Sequence, residues 1–380
     1  MISVKKWERN LTSSKGYKVR FRNLAIEDPD RKRELLDVVG RVLDHGQFLM
    51  GGEVEAFEEK IAQYCSRNYC VGVSSGTDAL YLSVRTLNLQ PDDEIITTPL
   101  SWIATLNAIY LGGGKPVFVD IGQDLNINTC LIEAAITSYT KAILPVHYTG
   151  RICNMDEILR LSEKYNLKII EDSAQAFGAH YDGKYAGSFG DMAAFSMNPM
   201  KVLSGFGEAG AVVTNSKSSF EQLKALRYLG TINKEVCIYP SLNAKIDTLQ
   251  AALLICNLKY VEESINARVK IASLYTEYLS ELVICPRINS KNNRESVFFD
   301  YTILSDSRDE LGLFLEKNGV ETKIKHPIVM YQQPAYKEIF QSDCPVAELV
   351  VNKILCLPIH EKMKNDDVMY VINKIKQFYE

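Results

Sequence analysis

An acid and a lysine, Asp172 and Lys201, lie close enough in the chain to belong to neighbouring strands. Asp172 closes the apolar run Leu167-Lys168-Ile169-Ile170-Glu171-Asp172, and Lys201 ends Ala193-Ala194-Phe195-Ser196-Met197-Asn198-Pro199-Met200-Lys201. An acid at the carboxyl end of one buried strand and a lysine just past the next are what pyridoxal phosphate (PLP) chemistry needs. The amine condenses with the cofactor aldehyde as a Schiff base, and the carboxylate keeps the pyridine nitrogen protonated so that the ring draws electrons from a carbanion. A lone lysine is usually a solvated residue and a lone Asp often a cap. Here Lys201 is bracketed by apolar strands and by Gly205, Gly207 and Gly210, which let the chain turn back into Ala211-Val212-Val213-Thr214. The small residues Ser173, Ala174 and Ala176 after Asp172 suit the close approach of a planar ring. Gln175 can donate a hydrogen bond to a phenolate oxygen on the same ligand.

Three further positions fit the same ligand. Ser74-Ser75-Gly76-Thr77-Asp78 joins a strand to a helix, where free N–H groups and the helix dipole favour a phosphate. Gly76 allows close approach and Thr77 adds a hydroxyl, although a plain serine N-cap has the same pattern. Trp102, after Pro99-Leu100-Ser101, can stack on a flat heteroaromatic ring or simply fill a core. Ser196, five residues before Lys201, can bond phosphate while Lys201 reaches the aldehyde carbon.

Positioning these groups requires a particular scaffold. From about residue 70 short apolar strands (70–73, 94–98, 116–120, 142–147, 167–172, 192–197 and 210–214) alternate with helical segments. That rhythm predicts an α/β protein with a mostly parallel central sheet covered by helices on both faces. A helical stretch from Ile246 to Leu282 contains no Gly or Pro and reads as one connector to a smaller C-terminal α/β domain. There Phe298 to Leu304 reads as a strand, and Asp309 to Asn318 as a helix closed by Gly319. The expected division is an N-terminal arm over 1–30, a large domain over 31–260 and a small domain over 261–380.

The 380 residues suffice for two domains with a sizeable core. A net charge of -4 without basic clusters argues against nucleic acid as a partner. The nine cysteines are scattered and form no C-x-x-C pair, so no metal site is expected; they read as buried, reduced thiols of a cytoplasmic protein. The N-terminal residues lack the apolar core of a signal peptide, and no stretch reads as a membrane span.

Taken together, the motifs resemble those of the DegT-like nucleotide-sugar aminotransferases. The resemblance runs from about residue 33 to the C-terminus. It is carried by Gln47-Phe48-Leu49-Met50-Gly51-Gly52-Glu53-Val54, Ser75-Gly76-Thr77-Asp78-Ala79-Leu80, Pro145-Val146-His147, Glu171-Asp172-Ser173-Ala174-Gln175, Phe195-Ser196 through Lys201, and Leu249-Gln250-Ala251-Ala252. It implies the fold type I PLP-dependent transferase architecture, with Lys201 as Schiff-base lysine and proton shuttle. By the same resemblance Asp172 pairs with the ring nitrogen, Gln175 with the ring oxygen, and Trp102 stacks on the ring. Gly76, Thr77 and Ser196 match phosphate-binding positions. Asn243 matches an asparagine that reaches the phosphate from the partner subunit, which implies a homodimer with shared active sites. His326 and Asn198 fall at substrate-facing positions. The chain departs from the family pattern at Ala209 (usually Gly), Phe177 (often His), Asn198 (often His or Tyr), Ser241 (usually Gly) and Lys245 (usually Arg).

The implied activity is transfer of an amino group from L-glutamate to a keto group of a nucleotide-linked sugar. Gln175 resembles members acting at a 3-keto carbon more than those acting at C4. A cyclitol or a small phosphorylated ketone is the alternative acceptor. The related PLP-dependent sugar dehydratases carry His in place of the lysine, which Lys201 argues against. A regulator that keeps PLP without turnover is disfavoured by the intact Asp172–Lys201 pair. A nicotinamide enzyme is disfavoured because the first strand–turn lacks G-x-G-x-x-G.

Overall fold

The structure, a computed structural model, describes residues 16–290 and 293–380. Most of the expected N-terminal arm, Trp7 included, and Lys291 and Asn292 lie outside the described residues.

The large part of the chain opens with helices α1 (Pro29–His45) and α2 (Gly52–Tyr64). Strands and helices then alternate: β1 (Tyr69–Val73), α3 (Gly76–Arg85), β2 (Glu94–Thr97), α4 (Ala104–Leu111), β3 (Lys115–Phe118), α5 (Thr129–Ala135), β4 (Thr140–Leu144), α6 (Met155–Tyr165) and β5 (Lys168–Asp172). A small hairpin, β6 (His180–Tyr181) and β7 (Lys184–Tyr185), precedes β8 (Met192–Ser196), β9 (Gly210–Thr214) and α7 (Lys217–Arg227). A second hairpin, β10 (Thr231–Ile232) and β11 (Val236–Cys237), leads to α8 (Thr248–Leu258) and α9 (Val261–Leu279). The rest comprises β12 (Tyr301–Leu304), α10 (Arg308–Lys317), α11 (Pro345–Val350), β13 (Ile354–Leu357) and α12 (Asn365–Tyr379).

Seven strands form one sheet in the order β1-β9-β8-β5-β4-β2-β3. Only β9 runs antiparallel to its neighbours; the other pairings are parallel. Because strand side chains alternate between faces, each strand feeds two cores. Ala193 and Phe195 of β8, Ala211 and Val213 of β9, and Ile169 of β5 pack with Phe57 of α2 and Leu254 of α8. Met192, Ala194, Val212 and Ile170 point the other way, onto Leu80 and Leu82 of α3 and Ala108 of α4. This is the mostly parallel, doubly covered sheet that the strand–helix rhythm predicts.

Three expectations change. The single helix over 246–282 is two, because Tyr260 closes an i→i−3 turn on Asn257 (3.0 Å) while its hydroxyl and the Lys259 amine are both held by Glu34 of α1. The strand expected from Phe298 begins only at Tyr301, since Phe298 sits at φ +48°. The thiols are not uniformly buried: Cys130 and Cys237 are exposed. After the break, α9 carries Ile265 into the first core and Ile271 and Tyr275 into a separate one, shared with Ile303 of β12, Leu355 of β13, Leu311 of α10 and Val368 of α12. Among the described residues no helix is long and apolar enough to cross a membrane.

The consequence for function is positional. β1, β2, β4, β5 and β8 point in one direction, so Gly76, Trp102, His147, Asp172 and Ser196 all fall at or just beyond carboxyl ends on one edge of the sheet.

Candidate active site

Asp172 ends β5 and is buried. Thr105, on the first turn of α4, donates its hydroxyl to Asp172 Oδ2 at 2.8 Å, and the Ala174 N–H reaches Oδ1 at 3.2 Å. Thr105 has then spent its only hydrogen, so in its 2.8 Å contact with Ser101 the serine must be the donor. Burial pushes the Asp172 carboxyl above its usual range, and Thr105, the Ala174 N–H and Lys201 only partly oppose this. A buried carboxylate with no cation in hydrogen-bond contact lacks the partner that a protonated pyridine nitrogen supplies. On this observation the residues present fit the cofactor.

Glu171 points to the opposite face and serves the scaffold. It accepts from the Gly187, Phe189 and Gly190 N–H groups and from His147 Nε2 at 3.0 Å. His147 Nδ1 accepts the Cys153 N–H at 3.2 Å, so the ring proton must sit on Nε2. His147 is thus a satisfied, fully buried core histidine.

Gln175 is oriented by a residue the sequence did not flag. Thr149, held at φ +56° in the 3-10 turn Tyr148–Gly150, donates its N–H to Gln175 Oε1 at 2.8 Å. That contact fixes the amide flip, and among the described residues the NH2 has no acceptor.

The residues expected to hold a phosphate meet at the start of α3. Ser75 caps α3: its hydroxyl accepts the Asp78 N–H and its carbonyl accepts that of Ala79. Among the described residues, the N–H groups of Gly76 and Thr77 remain without an acceptor. A Cβ on Gly76 would stand 2.4 Å from the Cβ of Ser196, so only glycine lets the end of β8 approach these donors. Ser196 thus lies against the start of α3, where Thr77 is exposed.

Lys201 is half-buried, with Nζ 4.4 Å from the centre of the Phe299 ring. The Lys325 amine lies 4.5 Å from the same ring centre. Asp300, deeply buried, ties Lys325 (2.6 Å) to Arg22 (2.8 Å). Burial first, then the Lys325 charge, push the Lys201 amine down to about 8, against the pull of Asp172 and Asp300. Arg22, Asp300 and Lys325 were not legible as site residues; only the adjacency of Lys325 to His326 hinted at one of them.

The remaining candidates separate. Trp102 is 63 % exposed beside His326, its ring centre 6.1 Å from the imidazole, and so is not a core tryptophan. His326 Nδ1 contacts the Tyr148 hydroxyl at 3.1 Å, and burial pushes its imidazole down to about 4. Asn198 spends its amide inside the lysine turn, accepting from the Met200 N–H at 3.0 Å and donating to Glu208 at 2.6 Å. Asn243 is exposed; it accepts from the Lys245 amine and pairs with Tyr228, while its neighbour Ala244 accepts the Ser74 N–H at 2.9 Å.

The low-lying Lys201 amine carries a testable consequence. Only the neutral amine attacks an aldehyde, and its fraction rises as pH passes the amine pKa. PLP uptake by the cofactor-free protein, followed by absorbance, should therefore accelerate up to about pH 8 and then level off. Lys325→Met removes a neighbouring cation and leaves Asp300 less neutralised; both effects raise the Lys201 pKa and should move the profile to higher pH. An unmoved profile would show that Lys325 does not act on Lys201.

Comparison with known proteins gives concordant results. The profile of the DegT/DnrJ/EryC1/StrS aminotransferase family matches residues 29–376. The dTDP-3-amino-3,6-dideoxy-alpha-D-galactopyranose transaminase of Aneurinibacillus thermoaerophilus is 36% identical over 349 residues, covering 91% of this chain and 96% of that one. A pleiotropic regulatory protein of Geobacillus stearothermophilus is 34% identical over 355 residues, covering 92% and 95%. The X-ray crystal structure of S. venezuelae DesV in complex with ketimine intermediate superposes with a TM-score of 0.91 at 33% identity, covering 96% of this chain and 98% of that one.

Proposed function

Since the chain belongs to the DegT/DnrJ/EryC1/StrS aminotransferase family and is a PLP-dependent aminotransferase, we propose that it moves an amino group from L-glutamate to the 3-keto group of a nucleotide-linked deoxy sugar. The observation that carries the chemistry is the buried Asp172, short of a cation, on the same sheet edge as the half-buried Lys201 with its lowered pKa. The similarity to a 3-amino-sugar transaminase supports the acceptor.

When bound, PLP supplies an electron sink for the carbanion formed at the substrate carbon. The chain's residues do the rest. With the cofactor bound, Lys201 Nζ would accept the proton released at the donor carbon and hold it for return, and on the acceptor half it would act in the reverse sense. Asp172 holds negative charge against the ring nitrogen, with Thr105 and the Ala174 N–H fixing the carboxylate plane. Gln175 would hold the ring through its NH2 and Trp102 through stacking. The Gly76 and Thr77 N–H groups, the Thr77 hydroxyl and Ser196 would hold the phosphate. Asn198 positions the lysine turn through Met200 and Glu208, while His326, neutral at physiological pH, faces the acceptor beside Trp102. Asn243 reaches the phosphate of the partner subunit in a homodimer with two shared sites. We place the enzyme in the cytoplasm, where its thiols stay reduced. Both Lys201 and Asp172 are kept, which favours turnover over a purely regulatory role.

If the acceptor is a nucleotide-linked sugar, binding energy from the remote nucleotide holds the ketone for reaction. The free nucleoside diphosphate should then inhibit competitively against the keto sugar, and the free sugar should be a poor substrate, in a coupled assay with glutamate as donor. Efficient turnover of a cyclitol or small ketone, with no inhibition by nucleoside diphosphates, would replace the sugar-nucleotide reading and leave the PLP chemistry intact.

A further inference from the structure

The segment before α1 is pinned to the turn after α10. Val19 pairs with Val320 in a parallel bridge: its N–H donates to the Gly319 carbonyl at 3.0 Å and its carbonyl accepts the Glu321 N–H at 2.9 Å. The Phe21 N–H donates to the Glu321 carboxylate at 3.0 Å. Next in the chain, the Arg22 side chain is only 5 % exposed. Its Nη1 donates to the Ile359 carbonyl at 2.5 Å, and its Nη2 to Asp300 Oδ1 at 2.8 Å and to the Phe299 carbonyl. The other oxygen of Asp300 is held by Lys325 at 2.6 Å. Three cations thereby gather around one aromatic ring. The guanidinium carbon of Arg22 lies 5.5 Å, Lys325 Nζ 4.5 Å and Lys201 Nζ 4.4 Å from the centre of Phe299.

Packing does not need this charge. A methionine or leucine would fill the space between Phe21 and Phe299 without taking a cation out of water beside two amines. What only a guanidinium supplies is a rigid fork set on two carbonyls and a carboxylate at once. That fork grips a strained segment. Phe298 sits at φ +48°, a conformation that a bulky side chain keeps only when its surroundings impose it. The carbonyl of Phe299 and the carboxylate of Asp300, just after it, are both held by Arg22. The same segment backs the turn that orients Gln175: the Val297 N–H donates to the Gly150 carbonyl at 3.0 Å, and the Asp300 N–H reaches the Thr149 carbonyl at 3.4 Å. One side chain from near the start of the chain thus reaches the surroundings of both Lys201 and Gln175.

We propose that Arg22 is a positioning residue for amino transfer: it acts on Lys201 through the charge of Asp300 and the placement of Phe299, and so makes the segment before α1 part of the active site. This rests on Lys201 being the amine that holds the cofactor. The charged groups that face Lys201 are Lys325, Asp172, Asp300 and Arg22; His326 nearby is neutral, its imidazole pushed down to about 4 by burial. Removing the Arg22 cation lifts a repulsion and leaves Asp300 neutralised by Lys325 alone. Both changes favour the protonated Lys201 amine and raise its pKa. Removing the Asp300 charge does the opposite.

The test is competitive acetylation of the cofactor-free full chain with acetic anhydride across pH, with the Lys201 peptide quantified by mass spectrometry. The Lys201 midpoint is expected at about 8 in the unmutated protein, where burial is the first cause of its lowering. Arg22→Met should raise it by about half a pH unit or more, and Arg22→Lys should restore most of the difference. Asp300→Asn, made in Lys325→Met so that no second amine titrates against Lys201, should lower the midpoint relative to Lys325→Met. A merely structural role moves the readout differently: loosened packing admits water and raises the midpoint in every variant, Asp300→Asn included. Such a uniform rise, or no shift in Arg22→Met, would overturn the proposal. Circular dichroism checks folding; if Arg22→Met fails to fold, Arg22→Gln, which keeps a donor for the Ile359 carbonyl, carries the same comparison. Labelling reads the amine whether or not it carries PLP. A cofactor mapped to another lysine would therefore overturn the Lys201 assignment and leave this electrostatic result standing.

Discussion

Lys201→Ala abolishes amino transfer, by about 10⁴-fold or more, because covalent attachment and the proton shuttle fall on one amine, and the neighbouring Lys325 amine is held by Asp300 at 2.6 Å. The protein should remain folded. Burial and the Lys325 and Arg22 charges disfavour the Lys201 cation more than Asp172 and Asp300 favour it, so its removal relieves a net penalty. The thermal midpoint of the cofactor-free variant should therefore not fall. Hydride reduction of the unmutated enzyme followed by peptide mapping should place the pyridoxyl group on Lys201; a label on another lysine would overturn the assignment. The same variant tests the shared site. Mixed with Asn243→Asp chains, which set a negative charge against the partner's phosphate, it should regain activity, since one site of the mixed dimer is then built from unmutated parts. Proven subunit exchange without recovery would count against Asn243 acting across the interface.

Asp172→Asn should keep PLP but lose roughly 10- to 1,000-fold in turnover. Removing an opposite charge in contact shifts a pKa by about 1–3 units, and each unit is worth about 1.4 kcal/mol. The ring nitrogen then loses its proton near neutral pH, and the electron sink weakens. The local geometry lets the change be read cleanly. The Ala174 N–H can only donate, so the amide oxygen must stay on its side and the NH2 must face Thr105. Thr105 can reverse its hydroxyl to accept that NH2 and donate to Ser101 instead. The backbone need not move. A rate loss with unchanged cofactor affinity would therefore report the charge and not a displaced strand; near-normal turnover would mean that another group holds the ring nitrogen.

The scaffold was legible because its causes are local. Alternation along β8 and β9 sends successive side chains to two apolar cores, and that pattern survives in any sequence listing of Met192 to Ser196. The lysine turn was legible for a similar reason: Gly205, Gly207 and Gly210 mark where the chain must fold back. The break at Tyr260 was not, because its cause is Glu34, a residue of another helix that captures both Lys259 and Tyr260. Nor was Thr149: a β-branched residue in the left-handed region is set by the close packing of Gly150, where a Cβ would meet the Gln175 carbonyl at 2.8 Å.

By itself the sequence determined the sheet and the edge on which chemistry can occur, and it pointed to Asp172 and Lys201 as a pair. These follow from strand periodicity and from side-chain types that few other reactions need together. Tertiary structure alone decided the electrical state of the site. The Lys201 amine lies low because the fold buries it and brings Lys325 to the same Phe299 ring, and Asp300 stays charged between Lys325 and Arg22. Those groups come from distant parts of the chain. Electrostatic energies depend on distance and burial in space, which spacing along a sequence does not encode.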